Sequence, residues 1–235
     1  MRKMNEYERH AYLYSAWTAL FVPCLVTIWV TWSVLPSKLD TLHMIFKALG
    51  IVASSTVVYA ALGFYIRELF RCTSKLIFQF PMFREDETKM PTTEFLMWKN
   101  KKLSRAQIEQ VHHKMQSQYN YMMLTAQQEN DDEQEARRNI VGSVGIMKEA
   151  TRGNKILLQC NYRYGYQRNL LGGLVWAFVL VLFFLISSYI SDLHYVAVCW
   201  IALLLILVQG IIAFFFMKHA SRNYARTLIT VFISK

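Results

Sequence analysis

Two long uncharged runs near the carboxyl end constrain the fold of this chain more than any other feature. They cover residues 169–191 and 193–217, and only Asp192 separates them. A helix rises about 1.5 Å per residue, so about 20 apolar residues cross the hydrocarbon core of a bilayer. Runs of 23 and 25 residues therefore predict two transmembrane helices joined by a tight turn. A function must be sought among those of membrane proteins.

The amino-terminal part of the chain carries the same signal. No charged residue occurs from Tyr12 to Leu35 or from Ala48 to Ile66. The first of these runs is longer than the apolar core of a typical signal peptide, and no clear small-x-small cleavage site follows it. We therefore expect this run to remain in the protein as a span. The sequence thus predicts four spans in two hairpins.

These runs predict an all-α membrane protein with a helical cytoplasmic domain inserted between spans two and three. No alternating apolar run of strand length is bounded by turn residues, so β-structure is not expected. The predicted domains are an amino-terminal transmembrane hairpin at 1–66, the cytoplasmic helical domain at 67–168, and a carboxyl-terminal transmembrane hairpin with a short cytoplasmic tail at 169–235.

Lysine and arginine are distributed unevenly around the four predicted spans. Of the 26 in the chain, seventeen lie between Arg67 and Arg168, whereas the turn between the third and fourth spans holds none. Positive residues close to spans are retained in the cytoplasm. We therefore expect a multi-pass protein of the plasma membrane, in contact with lipid, whose middle segment and two termini are cytoplasmic.

The first helix of the middle segment is predicted over 104–122. Ser104 and Gln107 fit a capping box at its start. Its apolar residues recur at helical spacing and are Ile108, Val111, Met115, Tyr119 and Met122. Adjacent helix residues point about 100° apart, so His112 and His113 cannot chelate one metal ion together. We interpret the two histidines as parts of a solvated helix face.

Two further helices are expected before the third span. One begins after a polar run, ends near Gly153 and has a buried stripe of Ile140, Val144 and Met147. The other begins at about Lys155 and runs through Gly172 and Gly173 into the third span. The middle segment is therefore expected to be connected to the membrane by a continuous helix.

Motifs for catalysis and for cofactor binding are missing from the sequence. The segment Gly142–Gly145 lacks the strand and the lysine of a phosphate-binding loop, and we interpret it as a site of close helix packing. The four cysteines have neither a disulfide framework nor the spacing of zinc ligands. We expect no enzyme activity, no catalytic residue, no metal site and no cofactor.

Small and hydroxylated residues are concentrated in the second predicted span, where Ser54, Ser55 and Thr56 lie among glycines and alanines. Two interpretations are open, because small side chains permit close helix packing and because several copies of this span would line a narrow pore. Four helices of one chain enclose no water-filled path, so a channel requires an oligomer. We predict a homotetramer, since the small residues lie on more than one helix face.

Basic residues are dense in the second half of the middle segment, where tyrosines are interleaved with them. The candidate ligand-binding residues are Arg137, Arg138, Arg152, Lys155, Arg163 and Arg168. Cations attract phosphates and aromatic rings stack on unpaired bases, so the pattern favours a single-stranded oligonucleotide or a nucleotide messenger. Membrane topology and anionic lipid are the alternative explanation, above all for Arg163 and Arg168, which lie nearest the third span.

Three stretches of the sequence resemble a known family. They are Pro91–Leu96, Glu149–Lys155 and Arg168–Gly173, the last of which leads into a span. They are similar to bacterial membrane effectors encoded beside nucleotidyltransferases in anti-phage systems, in particular the channel subunit of Hailong-type defence. The resemblance covers most of the chain. It implies a homotetrameric ion channel of the bacterial inner membrane that single-stranded oligodeoxyadenylate holds shut and that opens when phage nucleases destroy the oligomer. A cognate nucleotidyltransferase is then a further partner.

Two functions of different classes are open at this point. One is an oligomeric channel effector that a cytoplasmic anionic ligand gates. The other is a non-conducting membrane anchor or scaffold whose cytoplasmic helical domain binds a partner protein. Ion flux into liposomes separates them, because only the first function includes conduction.

Overall fold

The computed structural model describes residues 6–34, 56–83, 87–190 and 195–235. Within these ranges the protein is helical and has no strand, which confirms the predicted all-α class. The chain divides into two compact units. We name Met1–Lys75 with Tyr166–Phe214 the membrane unit, and Leu76–Gly165 with Phe215–Lys235 the helical unit.

Nine α-helices lie in the described ranges. They are α1 Tyr14–Val34, α2 Thr56–Ser74, α3 Phe80–Phe83, α4 Pro91–Leu96, α5 Arg105–Tyr119, α6 Ala126–Asp131, α7 Glu133–Ala150, α8 Lys155–Ile190 and α9 Val196–Ser234. A π-helical segment, Glu8–Leu13, precedes α1, and another, Lys75–Gln79, connects α2 with α3. α8 and α9 each contribute residues to both units.

Three described segments are long and apolar enough to cross a membrane. They are Glu8–Val30, Lys155–Ile190 and Val196–Ser234. They contain most of the first, third and fourth predicted spans. The second predicted span, 48–66, is described only from Thr56 onward, and the turn at Ser191 and Asp192 lies outside the described residues. Four crossings with an inserted domain therefore stay a prediction.

The three apolar helices carry large side chains on their surface. Trp17 of α1 is 63% exposed, as is Phe215 of α9, and Phe183 of α8 is 62% exposed. A helix that is apolar on all sides needs an apolar environment, and exposed patches of this kind mark membrane or protein contact sites. The exposed surface of these helices is therefore suited to contact with lipid.

Close packing in the membrane unit is centred on Gly172 and Gly173 of α8. A Cβ atom at Gly172 would lie 1.9 Å from the carbonyl oxygen of Phe70 in α2, and one at Gly173 would lie 2.5 Å from the Cβ of Ala19 in α1. These glycines let three helices approach one another closely, as small residues do in membrane helices. In the second predicted span the described glycine, Gly63, has nothing of this kind within 4 Å.

The helical unit has one apolar core, which includes residues of α4, α5, α7, α8 and α9. Its buried side chains are Phe95, Leu96, Met97, Val111, Met115, Met123, Ile140, Val144, Met147, Leu157, Ala225, Leu228, Ile229 and Phe232. The last four belong to the end of α9, and none of them is more than 1% exposed. The segment 218–235, predicted only as a short tail, is thus a helix that supplies part of the core.

The local helix signals of the sequence are confirmed except at the end of α5. The side chain of Ser104 accepts a hydrogen bond from the Gln107 amide, and the Gln107 side chain accepts one from the Ser104 amide, so α5 begins with the predicted capping box. The predicted stripe of α7 is buried, and Gly153, with φ +86°, follows the end of that helix. Met122 was wrongly predicted to be an apolar-stripe residue, because α5 ends at Tyr119 and Met122 is 72% exposed.

Close packing at the Gly142–Gly145 segment is found for one of its two glycines. A Cβ atom at Gly142 would lie 2.5 Å from the hydroxyl oxygen of Tyr121, whereas one at Gly145 would have no neighbour within 4 Å. The Tyr121 hydroxyl donates to the carbonyl oxygen of Asn139 at 2.7 Å. The tyrosine thus fixes the loop after α5 against α7.

The two adjacent histidines of α5 occupy different environments. His113 is exposed, in agreement with a solvated helix face, but His112 is partly buried and its ring lies 4.7 Å from the ring of Trp98. Burial lowers the pKa of His112 to about 4, against a weaker opposing effect of Glu109. His112 is therefore neutral at physiological pH and serves as a packing residue.

We expect the helical unit to lose stability as the pH falls from about 6.5 to about 4, because the unfolded chain binds a proton at His112 that the folded chain resists. Above pH 6.5 the histidine is neutral in both the folded and the unfolded state, so it does not make stability depend on pH. His112→Gln should flatten this part of the dependence of Tm on pH, whereas His113→Gln should leave it as in the wild type. Thermal melts of all three proteins across this pH range measure the difference. Parallel curves for His112→Gln and the wild type would contradict it.

Candidate ligand-binding surface

The six predicted ligand-binding residues do not form one patch on a single chain. Arg137 and Arg138 lie near the start of α7, whereas Arg152 and Lys155 lie beyond its end. At about 1.5 Å per residue, the two pairs are roughly 20 Å apart along the helix axis. Arg168 belongs to the membrane unit and the other five to the helical unit. A ligand that contacts both ends of α7 must therefore be extended.

Arg137 is held by acidic and carbonyl oxygens of its own unit. Its Nε donates to Glu133 at 2.9 Å, and its Nη1 donates to Glu94 at 3.2 Å and to the carbonyl oxygen of Thr88 at 2.7 Å. The side chain is only 16% exposed. Hydrogen bonds from Lys99, and then from Arg137, lower the pKa of Glu133. Arg137 thus joins α7 to α4 and the segment before it, and little of its charge is available to a ligand.

Three of the four predicted cations near the ends of α7 are available at the surface. Arg138 and Lys155 are exposed, and neither has an ion-pair partner among the described residues. Arg152 lies 2.8 Å from the carboxylate of Glu149, but both side chains are largely exposed. Surface pairs of this kind contribute about 0–1 kcal/mol, so a phosphate can displace the carboxylate at little cost.

The turn between α7 and α8 fixes the positions of Arg152 and Lys155. Thr151 closes α7 by donating from its hydroxyl to the carbonyl oxygen of Met147 at 2.7 Å. Asn154 caps α8, because its Oδ1 accepts from the amides of Ile156 and Leu157 at 3.0 and 3.1 Å. Two cations therefore flank the amino terminus of a 36-residue helix, where the helix dipole also favours an anion.

Arg163 and Arg168 differ in exposure although both lie on α8. Arg163 is exposed on the helical unit, whereas Arg168 is 8% exposed and its Nε donates to Asn169 at 3.3 Å. Burial, followed by the charges of Arg71 and Arg168, lowers the pKa of Lys75. Arg168 therefore belongs to a partly buried basic group of the membrane unit and not to the exposed cations of the helical unit.

Two of the three tyrosines interleaved with these arginines make contacts within the chain. Tyr164 is 8% exposed, and the hydroxyl of Tyr166 lies 3.0 Å from the hydroxyl of Thr18 in α1. The sequence pattern predicts that these rings are exposed and can stack on bases. Tyr164 and Tyr166 therefore offer less exposed ring surface to a base than predicted. Of the predicted pore-lining residues, Ser54 and Ser55 lie outside the described residues, and Thr56 is the first residue of α2.

A second group of polar residues, around Trp98, is not among the predicted sites. Lys101 and Arg105 line a cavity beside this tryptophan together with Asn100. The sequence feature that could have indicated this group is the run of three lysines and an asparagine at 99–102. It directly follows an aromatic residue and precedes a helix cap. A charged run next to a cap is usually a solvated turn, which is why the pattern alone does not identify a cavity.

The exposed cations of the helical unit can bind an anion by charge and by hydrogen bonds from arginine and lysine. No cluster of three or more His, Cys, Asp or Glu residues suited to a metal ion occurs in the described ranges. We compared the chain with known proteins, and no family model, no curated protein and no solved structure matches it.

Proposed function

We propose that this chain is a homo-oligomeric ion channel of the bacterial inner membrane and an effector of anti-phage defence, gated by an anionic ligand on its cytoplasmic surface. The proposed ligand is a single-stranded oligonucleotide made by a cognate nucleotidyltransferase. The observation that carries the proposal is the continuity of α8. This helix begins at Lys155, beside exposed cations, and runs unbroken to Ile190 through a segment apolar enough to cross a membrane.

A continuous helix gives a ligand a direct way to act on a pore. A ligand shifts a gate only by its different affinities for the two states, and a change from 1:99 to 99:1 needs about 10⁴-fold. In the proposed homotetramer, an affinity that differs about tenfold between the two states at each of the four subunits supplies this factor. Copies of Arg138, Arg152 and Lys155 around one axis also present far more positive charge to a polyanion than one chain does.

The oligomer is needed because four helices of one chain are too few to enclose a water-filled path. The proposed pore is lined by the second span, with Ser54, Ser55 and Thr56 as its hydroxylated residues. The proposed orientation has both termini in the cytoplasm. It is supported by the seventeen basic residues from Arg67 to Arg168 and by the shared unit of residues 76–165 and 215–235.

We expect wild-type protein in liposomes to conduct ions and an oligodeoxyadenylate on the cytoplasmic side to reduce the flux. Replacing Arg138, Arg152 and Lys155 by alanine should weaken oligonucleotide binding at every sequence and abolish this inhibition. Each lost phosphate contact should lower the log–log salt slope by about 0.7. Fluorescence anisotropy at several salt concentrations and a fluorescent ion-flux assay measure both effects.

The matched control removes the same number of exposed charges elsewhere, by alanine at Lys89, Lys102 and Arg222. It should retain the salt slope and the inhibition. Equal losses in the two triple variants would assign the effect to net charge and reject the site. If reconstituted wild-type protein conducts no ions with or without the oligonucleotide, the channel is rejected in favour of a membrane scaffold.

A further inference from the structure

A cavity of about 280 Å³ opens beside Trp98 in the helical unit. It is formed where the loop after α4 meets the first turns of α5 and α6. The lining is partly apolar and partly cationic and consists of Trp98, Asn100, Lys101, Leu103, Arg105, Ile108 and Ala126. Small-molecule sites combine such apolar walls with a few polar groups, and this volume lies just below their usual range of about 300–1,000 Å³. The ligand must therefore be small.

The aromatic wall of this cavity is fixed before any ligand arrives. The backbone amide of Trp98 donates to the carboxylate of Glu129 at 2.8 Å, and its indole Nε1 donates to the carbonyl oxygen of Leu124 at 3.0 Å. Glu129 is itself only 3% exposed, and the ring of His112 packs against the indole. A ring held in this way loses little conformational entropy when a planar ligand packs on it.

The polar side of the cavity is cationic and has unused hydrogen-bond donors. The guanidinium carbon of Arg105 lies 5.9 Å from the centroid of the Trp98 ring, and its Nε is paired only with the exposed Glu109 at 3.3 Å. Lys101 has no ion-pair partner within the part of the chain that the structure describes. The Oδ1 of Asn100 accepts from the amide of Lys102 at 3.0 Å, and its amino group donates no hydrogen bond there.

We infer that this cavity binds a nucleoside monophosphate, with the planar base against Trp98 and the phosphate at Lys101 and Arg105. An indole surface stacks on a heteroaromatic ring, while an ammonium and a guanidinium together neutralise a phosphate dianion. The amino group of Asn100 is a donor for an acceptor on the base edge or the ribose. This site shares no residue with the cations at the ends of α7, so it goes beyond the oligonucleotide site and does not depend on it.

Isothermal titration of the full-length protein in detergent with 5′-AMP tests the inference. We expect saturable binding that weakens at least tenfold in Lys101→Ala with Arg105→Ala, both of which are exposed positions away from the core. Lys102→Ala is exposed but does not line the cavity, and it should bind as the wild type does. Adenosine and inorganic phosphate, each tested alone, should bind at least tenfold more weakly than 5′-AMP, because each offers half of the recognised chemistry.

Three results would overturn the inference. They are absence of 5′-AMP binding to the wild type at millimolar concentration, equal affinity of the Lys101/Arg105 double variant, and inorganic phosphate binding as tightly as 5′-AMP. The oligonucleotide site is tested separately. The variant lacking Arg138, Arg152 and Lys155 should retain 5′-AMP binding, so either site can fail while the other stands.

Discussion

Gly172→Ala is expected to destabilise the membrane unit by about 3 kcal/mol, the upper part of the range for overpacking a filled interior. The added methyl group would lie 1.9 Å from the Phe70 carbonyl oxygen and 2.9 Å from the Cβ of Ser74, where ordinary contacts begin at 3.4 Å. The obstacle includes backbone, so no side-chain rotation relieves it and α2 must move away from α8 by more than an ångström. Thermal unfolding of the purified protein in detergent measures the loss.

Gly210→Ala is the matched control, since Gly210 also lies in an apolar helix and a Cβ there would meet nothing within 4 Å. We expect its Tm to be unchanged or slightly higher, because alanine has the better helix propensity. Equal melting of the two variants would mean that α2 and α8 are not packed as closely as the structure has them.

Phe232→Ala is expected to destabilise the helical unit by about 3–5 kcal/mol, the usual cost of removing a buried phenylalanine side chain. The ring is 1% exposed, its centroid lies 5.8 Å from that of Tyr119, and the Lys114 ammonium lies 5.3 Å from it. Because it packs in the same core as α5 and α7, its loss should release these helices as well. Hydrogen exchange of the amides in Arg105–Tyr119 and Glu133–Ala150 reports this at a distance from the mutation.

Thr230→Ala controls for changes to the same part of α9, because Thr230 is exposed. It should leave the exchange rates of α5 and α7 within error of the wild type. Wild-type rates in α5 for Phe232→Ala would contradict the core described here, in which the end of α9 is an integral part.

Local chemistry explains which parts of the fold are predictable from sequence. The Ser104–Gln107 capping box, the buried stripe of α7 and the helix end before Gly153 depend on neighbours within a few residues, and all three are confirmed. The positions of the spans are predictable for the same reason. The preference of each apolar residue for hydrocarbon does not depend on a partner elsewhere in the chain. The described apolar segments contain most of three of the four predicted runs.

Long-range partners explain what the sequence does not reveal. Arg137 and Arg138 are adjacent arginines that the sequence does not distinguish. The guanidinium of Arg137 nevertheless binds Glu94, 43 positions away, and its charge serves to hold the fold together. Likewise, the apolar spacing of Ala225, Leu228, Ile229 and Phe232 is typical of an amphipathic helix but does not say which core receives it. The cavity at Trp98 is missed because two separate helices and a loop must first be in place to form it.

The order of synthesis gives the end of α9 a further consequence. Residues 76–165 leave the ribosome well before residues 225–232, which supply four side chains of the same core. At about 5–20 residues per second, the interval between residues 165 and 232 is roughly 3 to 13 s. During this time the two last segments that are long and apolar enough to cross a membrane are being synthesised, and the core around Met115, Val144 and Met147 lacks the side chains of α9. Completion of this core is thus tied to synthesis of both long apolar helices, so a chain that stops before the end of α9 presents an unfinished core to chaperones and proteases.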